Sequence, residues 1–277
     1  MATYLAPGVY VEEIPSAVKP IAGVGTSTAG FVGLVADDVK MPLRPGAAPD
    51  STNTADYYSL TAALDPEPIN SWLEFEQKFG EIQAGNEYLA HAVYGFYNNG
   101  GTRCWITRVA SVDDIDDAID TFEAIDEVAI VAAPLPPDTD QSALNGIHAK
   151  LISHCALMED RVAILDSALD IEDDNLVITT DNSGIWRPGD ASNKGYGAFY
   201  FPWIEVADPL QAAGTRLAVP PSGHLAGIYA RSDTQRGVHK APANEGIMGA
   251  LGVRYRVSKI LQGSLNPEGV NVIRPFN

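Results

Sequence analysis

The residues best suited to chemistry lie between Pro221 and Glu245, where ionisable side chains are gathered in a stretch interrupted by glycine and proline. They are His224, Arg231, Asp233, Arg236, His239, Lys240 and Glu245. An α/β hydrolase would use Asp166, which follows a predicted buried strand, with His224 or His239 as the general base. The G-x-S-x-G turn that presents a nucleophile in such enzymes is missing, as is a cluster of metal ligands.

The alternative is that these charged groups order a loop through ion pairs and catalyse nothing. The spacing of the residues favours this structural alternative over a soluble hydrolase-like enzyme. The predicted network comprises His224, Arg231, Asp233, Arg236, Lys240 and Glu245.

Two other patterns suggest ligand sites but lack essential residues. The segment GTSTAGFV (25–32) approaches a phosphate-binding loop, but Phe31 and Val32 stand where the loop needs a lysine and a hydroxyl. His148 and His154 share a predicted helix, yet six residues rotate a helix by about 240°, so they cannot ligate one metal. The acidic run 113–120 has no EF-hand glycine or closing glutamate, which favours a solvated helix face. We therefore predict no cofactor and no metal.

Composition narrows the class of protein further. The 277 residues are 45% hydrophobic and carry a net charge of −18, which indicates a folded acidic chain. This charge argues against partnership with nucleic acid or anionic membranes. Cys104 and Cys155 lie in predicted buried segments and indicate a reducing compartment. With no signal peptide and no apolar run of about 20 residues, a soluble protein made in the cytosol is expected.

The elements that position these residues alternate between strands and helices. Strands are predicted at FVGLV, RCWITRV, VAIVAA (128–133), RVAILD (161–166) and GAFYFPW, with helices near 71–80, 87–97, 111–125, 141–158 and 222–231. Strand, helix and apolar strand in succession indicate parallel crossover units. The predicted fold is α/β, with a mixed, partly parallel sheet and flanking helices. Residues 36–68, rich in Asp, Pro, Ser and Thr, are a predicted loop-rich insertion within a domain at 21–250.

The N-terminal segment, residues 1–20, is predicted to be an extended β arm. In VYVEEI neither face is cleanly apolar, which suits a strand that pairs at a sheet edge. The residues of this segment that could take part in such pairing are Tyr4, Leu5, Val9, Tyr10, Val11, Glu12, Glu13 and Ile14.

Several segments, in order and spacing, resemble the contractile tail sheath proteins of bacteriophages and related injection systems. They include LAPGVYVEEIPS (5–16), TAGFVG (28–33), SWLEFEQKFG (71–80) and YLAHAVYGFYNNGGTRCWITRV (88–109). They continue with VAIVAAP (128–134), HCALMEDRVAILD (154–166), FYFPWIEVADP (199–209), PPSGHLAGIYARSDTQRGVHKAPANE (220–245) and LNPEGVNVIRPFN (265–277). The resemblance spans nearly the whole chain.

The resemblance implies a structural subunit, not an enzyme. It would polymerise with itself into a helical tube of hexameric rings around an inner tail tube protein, and would contract to drive that tube through a target envelope. Baseplate and tail terminator proteins are the other implied partners. Assembly would take place in the bacterial cytoplasm, and the subunit would belong to a virion tail or a contractile particle, without direct insertion into a membrane. The arm would add a strand to a neighbouring subunit's sheet, which makes the residues named above, between Tyr4 and Ile14, the implied subunit interface.

This sequence departs from the pattern of the sheath proteins in one respect. Sheath proteins continue well beyond the NPEGVNVIRPF motif, so residues 251–277 are expected to begin a C-terminal inner domain that is otherwise absent. VNVIRPF would then be an apolar strand without a following partner.

Overall fold

A seven-stranded sheet forms the centre of the computed structural model, which describes residues 25–169 and 195–275. Its strands are β1 (Ala29–Leu34), β2 (Glu67–Ile69), β3 (Cys104–Val109), β4 (Ile130–Ala132), β5 (Val162–Asp166), β6 (Gly197–Phe201) and β10 (Val270–Val272). The order across the sheet is β10-β6-β5-β4-β1-β3-β2. All neighbours are parallel except β2, which pairs antiparallel with β3. The predicted mixed, partly parallel sheet is confirmed, and most of its strand pairs are parallel.

The chain reverses its direction of travel across this sheet once. From β1 it moves to β2 at one edge, then returns through β3 to β4 on the other side of β1 and continues through β5 and β6 to β10 at the opposite edge. This is a doubly wound order, in which the carboxyl ends of the parallel strands meet at one edge beside the switch point. The loops after β4, β5 and β6 therefore converge.

Helices cover both faces, because each face is lined by apolar side chains that must be removed from water. They are α1 (Trp72–Phe79), α2 (Glu87–Asn98), α3 (Ile115–Asp120), α4 (Gln141–Met158), α5 (Ser222–Arg236) and α6 (Lys259–Leu265). One buried cluster joins the sheet to α3, α4 and α6, and the other joins it to α1, α2 and α5. Among these described helices none has both the length and the apolarity required to cross a bilayer.

Helix α1 begins and ends as its sequence predicts. The Ser71 hydroxyl accepts a hydrogen bond from the Glu74 N–H at 3.2 Å, and Gly80 ends the helix with a positive φ of 84°. Phe75 and Phe79 are fully buried on the predicted face. The Glu74 carboxylate departs from a full capping box, since it accepts from the Asn70 N–H at 2.7 Å.

The predicted acidic helix at 111–125 is interrupted. Its first and last turns, Val112–Asp114 and Thr121–Ala124, are 3-10 helices that flank α3. Aspartates disfavour a helix interior, because their short side chains compete for backbone hydrogen bonds. The inward-facing residues are as predicted, with Ile115, Ile119 and Phe122 buried.

Arg108 anchors the insertion at 36–68. Its side chain is largely buried and donates to the carbonyl of Thr61 at 2.5 Å and that of Val35 at 3.0 Å. It also pairs with the exposed carboxylate of Asp37 at 2.7 Å. Arg108 of β3 thus holds the loop in place mainly through hydrogen bonds to backbone carbonyls. A pattern of residue types does not reveal such bonds.

A second sheet, which the sequence did not predict, lies beside the first. Its antiparallel order is β8-β7-β9, from β7 (Ile204–Ala207), β8 (Arg216–Val219) and β9 (Gly252–Val253). The strands are too short to show a periodic pattern.

Residues beyond 250 contribute to both sheets. β9 pairs with β7, and β10 pairs with β6 in the central sheet, so Val270–Val272 of the VNVIRPF segment has a partner that comes before it in the chain. Strands from both sides of residue 250 therefore belong to the same two sheets. A separate inner domain that begins at residue 251 stays a prediction. The predicted N-terminal arm lies outside the described residues.

Candidate functional site

The stretch from Pro221 to Glu245 forms α5 and the loop that follows it. Arg231, mostly buried on α5, donates to the carbonyls of Asn99 and Gly246, both at 3.1 Å. Its guanidinium lies 3.8 Å from the Glu245 carboxylate, which is 3.6 Å from the Lys240 ammonium. Three of the six predicted network residues, Arg231, Lys240 and Glu245, are thus brought together at the end of the loop.

The other three lie apart from this group. His224 is buried against α2, and Asp233 is half-buried near Thr26, whose hydroxyl opposes the rise in the pKa of Asp233 caused by burial. Arg236 is exposed in the last turn of α5. The six residues therefore do not form one continuous ion-pair network in the described structure.

Asn99 is a central residue of this region that the sequence did not single out. It is fully buried after the last turn of α2, and its amide donates to the carbonyls of Gly95 and Met248 at 2.9 and 3.0 Å. Its carbonyl oxygen accepts from the Met248 N–H at 2.8 Å. In the sequence, the NNGG run predicts only the end of a helix. Nothing local indicates a bond across 149 residues.

Asn99→Ala is expected to lower the free energy of unfolding by about 1–3 kcal/mol, because it removes the hydrogen bonds that the buried Asn99 amide makes to Gly95 and to both backbone groups of Met248. The loss should be local at first, with faster hydrogen exchange at 246–251. Asn98→Ala is the matched control, since Asn98 is the exposed neighbour of the same type. Equal effects of the two substitutions on urea unfolding would contradict this role of Asn99.

Helices α2 and α5 pack very closely, because glycines lie on both helices where they meet. A Cβ on Gly223 would lie 2.3 Å from the carbonyl oxygen of Ala92, and one on Gly227 would lie 2.4 Å from that of Phe96. A Cβ on Gly95 would lie 2.3 Å from the His224 ring. Gly223 and Gly227 are four residues apart and therefore share one face of α5. This close packing fixes the position of α5 and of the loop it carries.

The hydrolase arrangement is not formed. Asp166, at the end of β5, accepts a hydrogen bond from the Ser222 N–H at 2.9 Å, while His224 lies near His91 and Gly95. His239 is exposed in the loop after α5. Within the described residues neither histidine hydrogen-bonds to Asp166. Burial raises the pKa of Asp166 to about 7, against the opposing effect of Ser222. The histidine-assisted hydrolase is therefore not supported.

One group of possible metal ligands lies on the α3 and α4 side. Ligand atoms of Asp120, Glu123 and His154 lie within 4.8 Å of one another. However, the Lys150 ammonium is 2.7 Å from Asp120, and the Arg161 guanidinium is 3.3 Å from Nε2 of His154. Burial and the Arg161 charge lower the pKa of His154 to about 4. Because cations already neutralise this group, we assign no metal to it.

His148 and His154 have different neighbours on α4. His148 is buried with its ring edge-on to Phe199 at 6.2 Å, and burial lowers its pKa to about 4. Both cysteines are buried and free, as expected.

Comparisons with known proteins define the class. The family model for the central domain of phage tail sheath proteins matches residues 108–277, so the chain belongs to the phage tail sheath protein family. A search of curated protein sequences finds no match.

Several solved structures are similar to this chain over nearly its whole length. The helical sheath of the anti-feeding prophage in its contracted state is 25% identical, with a TM-score of 0.66, over 99% of this chain. A chain of the anti-feeding prophage baseplate is 25% identical over 99% of this chain, with a TM-score of 0.63. The contracted sheath complex of the PVC extracellular contractile injection system, 24% identical with a TM-score of 0.64, shares the fold over 100% of this chain. The chain spans 66%, 65% and 64% of these three chains, respectively.

Proposed function

We propose that this chain is a structural subunit of a contractile tail sheath, with no catalytic role. The observation that carries the proposal is the match of the contracted anti-feeding prophage sheath to 99% of the chain at 25% identity. The family membership supports the same function. Asp166 accepts a hydrogen bond from the Ser222 N–H and, among the described residues, none from either candidate histidine, so the hydrolase alternative lacks geometric support.

The proposed assembly is a helical tube of hexameric rings around an inner tail tube protein, attached to a baseplate and closed by a tail terminator. Subunits would assemble in the bacterial cytoplasm as part of a virion tail or a contractile particle. Contraction would repack the same subunits between two arrangements, a bistable transition that needs no chemical step. The acidic surface, with a net charge of −18, favours solubility before assembly.

Within each subunit, we propose that the bonds of Arg231, Lys240 and Glu245 order the loop after α5. The two ion pairs are 3.6 and 3.8 Å long and partly exposed, so they contribute little to stability individually. The hydrogen bonds from Arg231 to the carbonyls of Asn99 and Gly246 fix the position of the loop, because they join it to the end of α2.

The linking role of the N-terminal arm gives a direct test. Deleting residues 2–15 is expected to abolish tubes seen by electron microscopy while leaving the melting temperature within about 2 °C, because the arm would pack on another subunit. The full chain, produced together with its tube protein, is the positive control. A uniform monomer from the full chain would contradict the sheath, whereas unfolding of the deleted chain would show that the arm is a core strand.

A further inference from the structure

Charge is unevenly distributed along this chain. Residues 113–126 contain seven aspartates and glutamates, and no lysine or arginine lies between residues 109 and 149. The opposite holds from residue 246 to residue 267, where Arg254, Arg256 and Lys259 are the charged residues and no carboxylate occurs. A strongly acidic chain thus contains one concentrated basic segment, whose charge complements that of the acidic segment.

The two segments lie at opposite ends of one layer of helices. The acidic residues belong to α3 and its flanking turns, and α3 packs on β1 and β3. Lys259 begins α6, which packs on β10 over the same buried cluster. β10 and β1 are four positions apart in the sheet, so at about 4.8 Å per strand the two surfaces are about 19 Å apart. They therefore do not meet within one chain.

The basic segment presents an exposed apolar side chain between its charges. Ile260 is 89% exposed, more than any other large apolar side chain of the described residues. Leu261 and Leu265 hold α6 to the core, which leaves Ile260 on the solvent side beside Lys259, with Arg256 exposed just before the helix. Neither of these two cations forms an ion pair with a described carboxylate. We call Arg256, Lys259 and Ile260 the α6 surface.

The acidic segment also lies beside an exposed apolar side chain. Leu157, in the last turn of α4, is 69% exposed and follows His154 by three residues, so both lie on one side of the helix. Ligand atoms of Asp120 and Glu123 lie within 4.8 Å of that of His154. Of the seven carboxylates, Asp120 alone forms an ion pair with a described lysine or arginine. We call Asp116, Glu123, Asp126 and Leu157 the α3–α4 surface.

We propose that the α6 surface of one copy of this chain docks on the α3–α4 surface of the next copy. Ile260 would pack against Leu157, and Arg256 and Lys259 would pair with the carboxylates around it, which gives an apolar centre within a charged rim. Nucleic acid is disfavoured at the α6 surface, because the whole chain carries a net charge of −18. A second copy is favoured, because it presents the opposite charge and an exposed apolar side chain in the same place.

Such a contact is heterologous, because the two copies use different surfaces. After two copies have joined, one surface of each kind is still free, so the contact repeats and produces a ring or an open helical array. A repeating contact of this kind suits the proposed sheath. The contact rests on the sheath function only for its place in a tube, since two copies can also associate in solution.

Sedimentation equilibrium of the full chain tests the contact. At about 0.15 M salt the Debye length of about 8 Å screens the general repulsion between copies but not charges in contact. We expect the apparent mass to rise with protein concentration up to about 1 mM, because a single contact of this size is weak. Arg256→Glu with Lys259→Glu should weaken association at least about tenfold, and so should Asp116→Lys with Asp126→Lys. All four substitutions in one chain keep its net charge and exchange the signs of the two surfaces, so association should return to within about threefold of the original.

Lys40→Glu with Arg236→Glu is the matched control. Both cations are exposed, the change in charge is the same, and both lie on the other face of the sheet, beside Val39 and at the end of α5. This control should leave association within about twofold of the original. Ile260→Ser changes no charge and should weaken association at least about threefold, even where a reversed chain does not fold. The proposal is overturned by a full chain that stays monomeric, by equal effects of the α6 reversal and the control, or by unchanged association of folded Ile260→Ser.

Electron microscopy separates failure of this contact from failure of the sheath function. If the full chain, produced together with its tube protein, associates through these surfaces but forms no tubes, the sheath function is contradicted and the contact stands. If it forms tubes, and the chain with Arg256→Glu and Lys259→Glu forms them equally well, the contact is overturned and the sheath function stands. Loss of tubes in that variant, with recovery when Asp116→Lys and Asp126→Lys are added, supports both.

Discussion

Gly223→Ala is expected to lower the free energy of unfolding by at least about 2 kcal/mol, although a single methyl group is added. Three backbone atoms of Ala92 would lie 2.3–2.5 Å from the new Cβ. Backbone cannot rotate away as a flexible side chain can, so α2 and α5 would have to separate. Their separation would disturb Asn99 and Arg231, which join α2 to α5 and its loop. Gly227→Ala should act similarly, with the Phe96 carbonyl oxygen at 2.4 Å.

Gly146→Ala is the matched control, and it is expected to raise the free energy of unfolding instead of lowering it. Gly146 lies in α4, and a Cβ there would meet nothing within 4 Å. Alanine in a helix interior is more stable than glycine by about 0.5–1 kcal/mol, so this substitution should stabilise the chain. Urea unfolding of the three variants measures the difference. Equal stability changes at Gly223 and Gly146 would show that the helices do not pack as closely as described.

The glycines also show the limit of sequence interpretation. The sequence predicts the helical segment 222–231, but it does not distinguish Gly223 and Gly227 from Gly146. The difference is that Gly223 and Gly227 face the backbone of α2, whereas Gly146 faces no neighbouring atom. A close approach between two helices depends on their placement over the sheet, which no local pattern contains. The same holds for Asn99, whose partner Met248 is 149 residues away.

Long, periodic elements were predictable, because their apolar faces repeat along the sequence. The helix at 141–158 coincides with α4, Gln141–Met158, and RVAILD contains β5. The second sheet was missed because β9 has two residues and β7 and β8 have four each. The sequence places Asp166 at the end of a strand, but its hydrogen bond to Ser222 is evident only from the structure.

Acidification is expected to destabilise the chain steeply between about pH 6.5 and pH 4. Burial is the largest cause that lowers the pKa of His148, His154 and His224 to about 4, with Arg161 adding to the effect at His154 and His91 at His224. The ordinary value is 6.5, so within this interval the unfolded chain binds protons that the folded chain excludes. The stability that these histidines contribute is complete above pH 6.5 and is lost as the pH falls through about 4.

Asp166 acts in the opposite direction. Its pKa is about 7 in the folded chain against an ordinary 3.8, so its contribution is present below pH 3.8 and is lost as the pH rises through 7. Each such group changes the slope of stability against pH by about 1.4 kcal/mol per unit. For these four groups, three histidines against one carboxyl give a net loss of about 3 kcal/mol per pH unit on acidification. Burial also lowers the pKa of His91, which adds to this loss, and raises the pKa of Glu87 and Asp233, which opposes it.

Two substitutions separate these opposing contributions. His148→Leu removes one buried imidazole and should reduce the slope by about 1.4 kcal/mol per pH unit, whatever its effect at pH 7. Asp166→Asn removes the opposing carboxyl and should increase the slope by the same amount. Urea unfolding of both variants at pH 7, 6 and 5 provides the measurement. If stability is constant across this range, or if both substitutions change the slope in the same direction, the buried groups do not carry the protonation states that their surroundings imply.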